Sequence, residues 1–473
     1  MLEEEAKECY MKRGIILIFG FTGNLCKRKL IPALYYLFAE KKLSDMYILG
    51  IAQGTTTVET IVAQAEPYIE CKNQDIWKQF ISHIFYQQTD VQDTAAMKNL
   101  ADYICAMEKK FHLSGDRLVY LAVPSSLFCR ITEQLTDVGI CVKNTKKNFS
   151  PHCIVYEKPF GHNYASAHDI NACLARHLSE HQIYRIDHYL TKELVTNIVL
   201  TRFTNCVFEP LWHNRYIDQV HIVLNETIGI EDRGAYYDNY GAVRDVMQNH
   251  MLQLLALVSM EPPEKLTGDY IRHERARVLE KLYFVSGIRG QYEGYRAEKN
   301  VRPNSQTETF AAVTLMIQNH RWAGVPFFLK TGKCMSKNEV AIHIKFKQVD
   351  CLLLKNCPIP SDWLTITVSP EARFSLQLNM KKPGIADELV TVAMDFCHSC
   401  MFTVRPTQAY EQIIYEALMG EQTGAVRFDE IEYAWKCIDQ IYAAQLPLYI
   451  YKKGTDGPPE LTSYLYNQGI QKR

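Results

Sequence analysis

Apolar residues in the first third of the chain alternate between short β-branched runs and stretches with helical spacing. Gly14–Phe19 is an apolar run typical of a buried parallel strand, and residues 30–38 follow it with the period of a helix. Pro32 is tolerated best in a first turn, so the regular helix is predicted to begin near it. Further strands are predicted over residues 46–52, 118–123 and 153–156. This alternation predicts an α/β, Rossmann-like domain with a right-handed parallel sheet.

The pattern changes past about residue 190, where β-rich stretches outnumber helical ones. It predicts an α+β domain with a large, mostly antiparallel sheet. We place a Rossmann-like domain at residues 12–185 and an α+β domain at residues 186–473. The predicted strands of the second domain include 220–224, 309–317, 340–346 and 363–368, and its predicted helices lie near 243–260, 409–419 and 430–444.

Charge and composition narrow the class of protein. The 473 residues include 52 Lys and Arg against 53 Asp and Glu, a net charge of -1. A chain this neutral is a poor candidate for nucleic-acid binding through bulk electrostatics. No apolar run reaches the roughly 18 residues of a membrane helix, and residues 1–10 lack the features of a signal peptide. We therefore expect a cytoplasmic protein that binds neither membrane nor nucleic acid.

Cysteine is abundant, with 15 residues, and without an export signal we expect free thiols in a reducing compartment. Cys397, His398 and Cys400 resemble part of a metal-binding motif. No second Cys or His pair stands at zinc-site spacing, so a structural strand or turn is favoured and no metal is predicted.

A glycine turn follows the first predicted strand. Gly20 and Gly23 form a G-x-x-G pattern, while Ile18 stands where the full dinucleotide fingerprint has its first glycine. A simple tight turn is the alternative, but a position opening the first βαβ unit favours phosphate binding at a helix N-terminus. Gln53 ends the second strand, where an acid favours NAD and an arginine favours NADP; the neutral amide leaves the choice open.

Two polar segments follow predicted strands in the first domain. Lys158, in residues 157–161, stands at the carboxyl end of a buried strand and is predicted to point into the ligand crevice; the alternative is a solvated lysine. In residues 185–192, His188, Tyr189 and Lys192 offer donors that could grip a phosphate, with Arg185 nearby; the alternative is a polar turn.

A third polar segment, residues 241–253, contains His250 within a predicted helix. Imidazole has a pKa of about 6.5 and suits general-base work at neutral pH. A lone histidine in an apolar helix is more often a core residue, but Asp245 and Asn249 lie close by in the sequence and favour chemistry.

Taken together and in this order, several segments resemble the glucose-6-phosphate dehydrogenase family over nearly the whole chain. They are GFTGNLCKRKLIPALYYL, YLAVPSS, VYEKPFG, RIDHYLTKE, DRGAYYDNYGAVRDVMQNHMLQ and VPFFLKTGK. RIDHYL and RDVMQNH are the most specific of them. The resemblance implies oxidation of glucose 6-phosphate to 6-phosphogluconolactone with NADP, or NAD, the first step of the pentose phosphate pathway. It also implies that residues 12–185 bind the dinucleotide, and that residues 186–473 are the substrate-binding and dimerisation domain, which forms a dimer or tetramer through its sheet.

The resemblance assigns roles to individual residues. His250 would take the proton from the anomeric hydroxyl, and Asp187 would orient its imidazole. The implied substrate contacts are Lys158, His188, Tyr189, Lys192, Glu226, Asp245 and Lys333. The implied cofactor contacts are Gly20, Thr22, Gly23, Leu25, Lys29, Gln53, Pro124 and Lys158.

Some positions depart from the family pattern. Asn24 replaces the usual aspartate of the glycine turn, and Gln53 replaces the arginine that clamps the 2′-phosphate. Asn338 and Ser369 stand where an arginine and a glutamine are expected near the substrate, and Thr367 and Gln377 lie where some members bind a second, structural NADP. A non-catalytic, ligand-binding regulatory paralogue is the alternative, and Asn24 and Gln53 are its best support, although the Asp187 and His250 pair argues against it. A third hypothesis keeps the chemistry with another aldose phosphate or the unphosphorylated sugar.

Overall fold

The computed structural model describes residues 11–470 apart from 12, 44, 71, 146–149, 350–358, 385–387, 398–404 and 406. The chain forms two compact units. The first comprises Met1–Thr191, Lys265–Arg272 and Pro406–Ile431, and the second comprises Lys192–Glu264, His273–Arg405 and Glu432–Arg473.

The first unit is built on a twisted sheet of seven strands within the described residues. The strands are β1 (Gly14–Phe19), β2 (Tyr47–Ala52), β3 (Ile84–Gln88), β4 (Asp116–Leu121), β5 (His152–Tyr156), β6 (Ile183–Ile186) and β15 (Ala425–Val426). Their spatial order is β15-β6-β5-β4-β1-β2-β3, and every neighbouring pair is parallel except β15 with β6. The predicted parallel sheet is thus confirmed.

Helices cover this sheet because its strands are apolar on both faces. A π-helical turn over Cys26–Leu30 leads into the first α-helix, and Pro32 lies in the first turn of that helix, as expected. The helices that lie wholly in this unit are α1 (Ile31–Ala39), α2 (Val58–Ala65), α3 (Gln74–Ser82), α4 (Thr94–Phe111), α5 (Phe128–Asp137), α6 (Tyr164–His177) and α11 (Ala409–Met419).

The core of the first unit includes residues from late in the chain. Ile413, Ile414 and Leu418 of α11 pack with Ile16 and Leu34 in one buried cluster. The predicted boundary at residue 185 places α11 in the second domain, whereas the contacts place residues 406–431 in the first unit. The apolar face of α11 and the pairing of β15 with β6 account for this return of the chain.

The second unit is built on a sheet of nine strands within the described residues. The strands are β7 (Ile217–Asn225), β8 (Leu282–Tyr292), β9 (Phe310–Ile317), β10 (Phe327–Gly332), β11 (Glu339–Phe346), β12 (Trp363–Ser369), β13 (Arg373–Lys381), β14 (Leu389–Cys397) and β16 (Leu448–Tyr451). Their spatial order is β14-β13-β12-β11-β7-β10-β9-β8-β16. The sheet is mostly antiparallel, as predicted, but β10 pairs with β7 and β16 with β8 in parallel.

A second π-helical segment, Val243–Met251, lies between two α-helices of this unit. A buried aromatic cluster includes Tyr292, Phe310 and Tyr451, which lie on strands β8, β9 and β16 of the sheet. The helices of this unit are α7 (Glu193–Thr204), α8 (Gly234–Ala242), α9 (Leu252–Ser259) and α13 (Glu460–Asn467). Two further helices, α10 (Gly268–Glu280) and α12 (Phe428–Ala443), each contribute residues to both units.

Two predictions about cysteines outside the site can be compared with the structure. Cys129 and Cys173 form a disulfide between α5 and α6, so the prediction that the thiols are free is wrong for this pair. Cys397 ends β14, while His398 and Cys400 lie outside the described residues. Among the helices that the structure describes, none combines the length and apolarity that crossing a bilayer requires.

Candidate active site

The predicted cofactor residues lie where parallel strands of the first unit end. Gly20 follows β1, Gln53 follows β2, Pro124 lies three residues past β4, and Lys158 lies two residues past β5. Parallel strands end on the same side of a sheet, so these four positions share its carboxyl end. The strand order 3-2-1-4-5-6 reverses direction between β1 and β4, which is where doubly wound sheets bind their ligands.

The glycine turn after β1 requires a residue without a side chain. Gly20 has φ +87°, and a Cβ there would lie 2.3 Å from the carbonyl oxygen of Ala122. The Gly23 amide donates to Gly20 O at 2.9 Å, and helical conformation begins at Asn24. The first amides of this helix have no acceptor within it, so its N-terminus can receive a pyrophosphate. The residues of this turn, including Thr22 and Leu25, therefore fit a dinucleotide.

Lys29 lies further along the same helix, in the π-helical turn, and is exposed. It lines a pocket of about 260 Å³ together with Arg28, Tyr36, Tyr410 and Glu411. The position is thus on the helix that starts at the glycine turn, about one and a half turns beyond its first residue.

Lys158 is preceded by an acid held by two tyrosines. The Tyr120 hydroxyl donates to Glu157 Oε1 at 2.5 Å, and the Tyr410 hydroxyl also bonds the carboxylate. Burial raises the pKa of Glu157, and the two hydroxyls and the charge of Lys158 oppose that rise. Tyr120 comes from β4 and Tyr410 from α11, so three elements meet beside Lys158. No sequence pattern hinted at this cluster, because its members are far apart along the chain.

The segment after β6 presents the predicted phosphate-binding side chains. Asp187 is buried, and its Oδ1 accepts the Tyr189 amide at 2.9 Å. The rings of His188 and Tyr189 are 5.0 Å apart and partly exposed. Arg185 points elsewhere, because its guanidinium is buried and donates to Glu180 Oε1 at 2.7 Å. Arg185, which the sequence suggested near the phosphate, is therefore engaged in a structural ion pair.

In the second unit, β7 and β10 bring two predicted substrate residues into contact. Asn225 and Gly332 end these parallel strands in register, and the next residues are Glu226 and Lys333. The Lys333 ammonium donates to Glu226 Oε2, and the Tyr451 hydroxyl donates to Lys333 O at 2.7 Å. The carboxylate and the ammonium thus form a pair at the carboxyl end of two parallel strands.

His250 and Asp245 lie in the π-helical segment of the second unit, and both are buried. Within the segment the Asn249 side chain donates to Asp245 O at 3.0 Å, and Asn249 Oδ1 accepts the His250 amide at 2.7 Å. Such segments are rare and frequent at functional sites. The prediction of a helix is confirmed here, although its π geometry changes which side chains share a face.

Aromatic residues that the sequence did not single out surround Asp245. The Tyr236 hydroxyl donates to Asp245 Oδ1 at 3.2 Å, and the Arg233 guanidinium lies 3.7 Å from the same oxygen. Tyr237 is almost completely buried, with its ring 5.8 Å from Lys333 Nζ. Burial raises the pKa of Tyr237, and the charge of Asp245 adds to the effect. The sequence signal that could have indicated these residues is the group of tyrosines in DRGAYYDNY, because so many aromatic residues in a short segment are unusual on a single helix face.

Two further positions have local roles. Asn338 Oδ1 accepts the amide of Thr227 at 2.7 Å and so holds the turn after Glu226. Lys192 is the first residue of the second unit and the N-cap of α7, where its carbonyl accepts the Val195 amide at 2.9 Å. The predicted substrate residues are thus divided: Lys158, His188 and Tyr189 lie in the first unit, and Lys192, Glu226, Asp245 and Lys333 lie in the second.

A doubly wound sheet with a glycine turn at the end of its first strand defines the class of nucleotide-binding α/β proteins. Comparison with protein families makes the assignment specific. Residues 17–197 match the NAD binding domain of glucose-6-phosphate dehydrogenase, and residues 199–472 match the C-terminal domain of the same enzyme. The chain belongs to the glucose-6-phosphate dehydrogenase family.

Individual relatives are similar over nearly their whole length. The glucose-6-phosphate 1-dehydrogenase of Chlamydia pneumoniae is 36% identical, over 96% of this chain and 95% of its own. That of Bacillus subtilis is 35% identical, over 97% and 98%. A cytoplasmic isoform from Arabidopsis thaliana is 34% identical, over 97% and 92%.

Solved structures are also similar. A glucose-6-phosphate dehydrogenase in complex with glucose 6-phosphate has a TM-score of 0.91 and 31% identity, over 98% of this chain and 99% of that one. The enzyme from Mycobacterium avium has a TM-score of 0.85 and 31% identity, over 98% of both chains.

Proposed function

We propose that this protein oxidises glucose 6-phosphate at C1 to 6-phosphogluconolactone and transfers the hydride to NADP or NAD, the first step of the pentose phosphate pathway. The observation that carries the proposal is the pairing of Glu226 with Lys333, together with the buried segment that contains Asp245 and His250, within the residues that match the family's C-terminal domain. A carboxylate, an ammonium and an imidazole are the groups that a sugar oxidation needs.

His250 is proposed as the general base. Its neutral imidazole takes the proton of the C1 hydroxyl, and the electron pair of that O–H bond forms the lactone carbonyl as the hydride leaves C1. Asp187 is proposed to hold the imidazole in the correct tautomer and to stabilise its cation. A buried carboxylate suits that role, because its charge is screened little by solvent.

The dinucleotide is proposed to lie along the carboxyl end of the first unit's sheet. When bound, its nicotinamide ring accepts the hydride. Gly20 and Gly23 allow the close approach of the pyrophosphate. The other residues proposed to contact the cofactor are Thr22, Leu25, Lys29, Gln53, Pro124 and Lys158.

The sugar phosphate is proposed to be held at its two ends by different groups. His188, Tyr189 and Lys192 bind the phosphate, because charged and hydroxyl donors suit its oxygens. Glu226 and Asp245 accept hydrogen bonds from the sugar hydroxyls, while Lys158 and Lys333 donate to them. Removal of a ring hydroxyl would take away one hydrogen bond to these carboxylates, which gives selectivity among sugars.

The proposal is tested by incubating the purified protein with glucose 6-phosphate and each oxidised cofactor and following reduced-nicotinamide absorbance. Turnover with either cofactor supports it. The same assay with glucose and with other aldose phosphates identifies the substrate. A folded sample that binds glucose 6-phosphate but turns over none of these sugars would instead favour the non-catalytic regulatory paralogue.

We also propose that the protein forms a homo-oligomer through the sheet of its second unit. The β13–β14 hairpin pairs Phe374 with Phe396 and Leu376 with Met394, so that one face is apolar. Met394 is 63% exposed and Phe396 is 40% exposed. Exposed apolar faces of this kind are typical of protein–protein contacts. A cytoplasmic location is proposed because the Arabidopsis relative is named as a cytoplasmic enzyme.

A further inference from the structure

Two polar side chains face each other where β2 and β3 of the first unit end. Ala52 pairs with Gln88 in parallel register, and the Thr89 amide donates to Ala52 O at 2.9 Å. Gln53 follows β2, and Asp90 lies two residues past β3. The amide nitrogen Nε2 of Gln53 donates to Asp90 Oδ1 at 2.9 Å. A carboxylate therefore stands beside the position that reads the adenosine ribose in sheets of this order.

Neighbouring contacts fix this pair. Gln88 Nε2 donates to Gln53 O at 2.8 Å, and Thr55 Oγ1 donates to Gln88 Oε1 at 3.3 Å. The Gln92 amide donates to Asp90 Oδ1 at 2.9 Å. The Gln92 bond first, and then the Gln53 bond, hold the pKa of Asp90 below its usual range, so the carboxylate is charged at neutral pH.

The charge at this position bears on the choice between the two cofactors. NADP differs from NAD by a 2′-phosphate of charge about −1.5 to −2, whereas NAD has a hydroxyl that can donate a hydrogen bond. Arg130 is the cation whose charge acts on Asp90, and its Nη2 donates to Gln92 O at 3.0 Å. That bond ties the guanidinium to the loop that carries Asp90, and the opposite charges of these two side chains partly offset each other there.

We propose that the Asp90 carboxylate, positioned by Gln53, disfavours a 2′-phosphate and makes NAD the more tightly bound cofactor. Asp90 accepts a hydrogen bond from the ribose diol of NAD. A 2′-phosphate in the same place faces a like charge at short range and an amide that already donates one of its two N–H groups to Asp90. This inference deepens the proposed function, because it concerns the nucleotide site of that same reaction.

The test measures dissociation constants of NAD and NADP by titration calorimetry without sugar phosphate, so that no reaction occurs. The full-length wild type, Asp90→Asn and Gln53→Arg are compared. We expect the wild type to bind NAD more tightly, and Asp90→Asn to shift the ratio of the two constants toward NADP by about tenfold, as for a unit charge removed near a phosphate. Gln53→Arg is expected to shift it in the same direction. Added salt should reduce the wild-type preference, since it screens exposed charges.

Asp45→Asn is the matched control. It removes the same charge from an exposed residue that precedes β2, at the opposite end of the sheet. The control should leave the ratio within about twofold of the wild type. The proposal is overturned if Asp90→Asn also leaves the ratio within about twofold, if Asp45→Asn shifts it equally, or if the folded wild type binds NADP more tightly. Loss of turnover with normal binding of both nucleotides would count against the proposed reaction and not against this inference.

Discussion

At the residue scale, the proposed chemistry depends most on one imidazole. Replacing His250 with asparagine keeps a polar side chain of similar size but removes the proposed base. We expect kcat to fall by about 10²–10⁴-fold, while glucose 6-phosphate still binds, because a general base contributes roughly that factor. Steady-state kinetics and calorimetric binding of the sugar phosphate measure the two effects separately.

The matched change is His320→Asn, an exposed histidine of the same unit, which should leave both quantities unchanged. If His250→Asn retained wild-type turnover, the imidazole would not be the base. Equal losses of turnover and of sugar binding would point to a structural role instead.

The acid next to Lys158 gives a second prediction at this scale. In Glu157→Gln one acceptor oxygen is retained, but the charge that Tyr120 and Tyr410 donate to is lost. Hydrogen bonds to charged groups contribute about 1.5–3 kcal/mol, so we expect a loss of about 1–2 kcal/mol in the free energy of unfolding. Urea unfolding of Glu157→Gln, Tyr120→Phe and the double variant measures it. Additive losses in the double variant would show that the two side chains are not coupled.

The same cluster shows which site residues a sequence can predict. Lys158 and Gly20 were predictable, because strand ends are visible as apolar runs and the adjoining residues share one end of the sheet. The bond from Tyr120 to Glu157 joins residues 37 positions apart. No local pattern encodes such a contact, and the bond from Gln53 to Asp90 was hidden for the same reason.

At the scale of elements, the π-helical segment of the second unit is preceded by a glycine that the fold requires. Gly241 has φ +68°, and a Cβ there would lie 2.4 Å from Glu308 Oε1. That carboxylate also accepts the Val243 amide and the Tyr442 hydroxyl. We expect Gly241→Ala to cost about 2 kcal/mol or more in the free energy of unfolding and to lower kcat, since it disturbs the start of the segment that carries His250.

Gly324→Ala separates the two causes of that cost. Gly324 also has a positive φ, +82°, but nothing lies within 4 Å of the position that its Cβ would take, so only the backbone penalty of about 1 kcal/mol remains. Urea unfolding and kcat are compared for both variants. Equal destabilisation by the two would mean that Glu308 moves aside without cost.

Elements were predictable where their pattern is long and regular. The strands predicted at 14–19 and 340–346 agree with β1 and β11. Long apolar or alternating runs are compatible with few structures other than a strand. β3 was not predicted, because IFYQQ is short and half polar, and β6 is only four residues long. The π geometry at residues 243–251 was also missed, because the 3.6-residue period does not distinguish it from an α-helix.

At the scale of the whole molecule, the return of residues 406–431 to the first unit was beyond sequence patterns. Helix α11 is amphipathic, and its own sequence does not indicate against which of the two cores its apolar face packs. Its contacts with α1 close the first unit with a segment more than 200 residues away in the chain. The two units are therefore linked by several chain crossings, and truncation at residue 185 should leave the α1 surface without its cover.

Oligomerisation gives the prediction that belongs to this scale. A charge on the apolar face of the β13–β14 hairpin should weaken association, because burial of an unpaired charge costs several kcal/mol. Phe396→Asp is the variant, and analytical ultracentrifugation over a range of concentrations is the measurement. We expect the wild type to be a dimer or larger and Phe396→Asp to shift toward the monomer.

Thr391→Asp is the control, because Thr391 is an exposed residue of the same strand whose side chain points to the opposite face. It should leave the association unchanged. If both variants weaken association equally, the charge acts through the strand as a whole and not through the apolar face. If neither does, a second copy does not cover this hairpin, and the exposed Phe396 and Met394 require another explanation. The outcome also bears on catalysis, since a shift to monomer with unchanged kcat would show that each chain carries a complete active site.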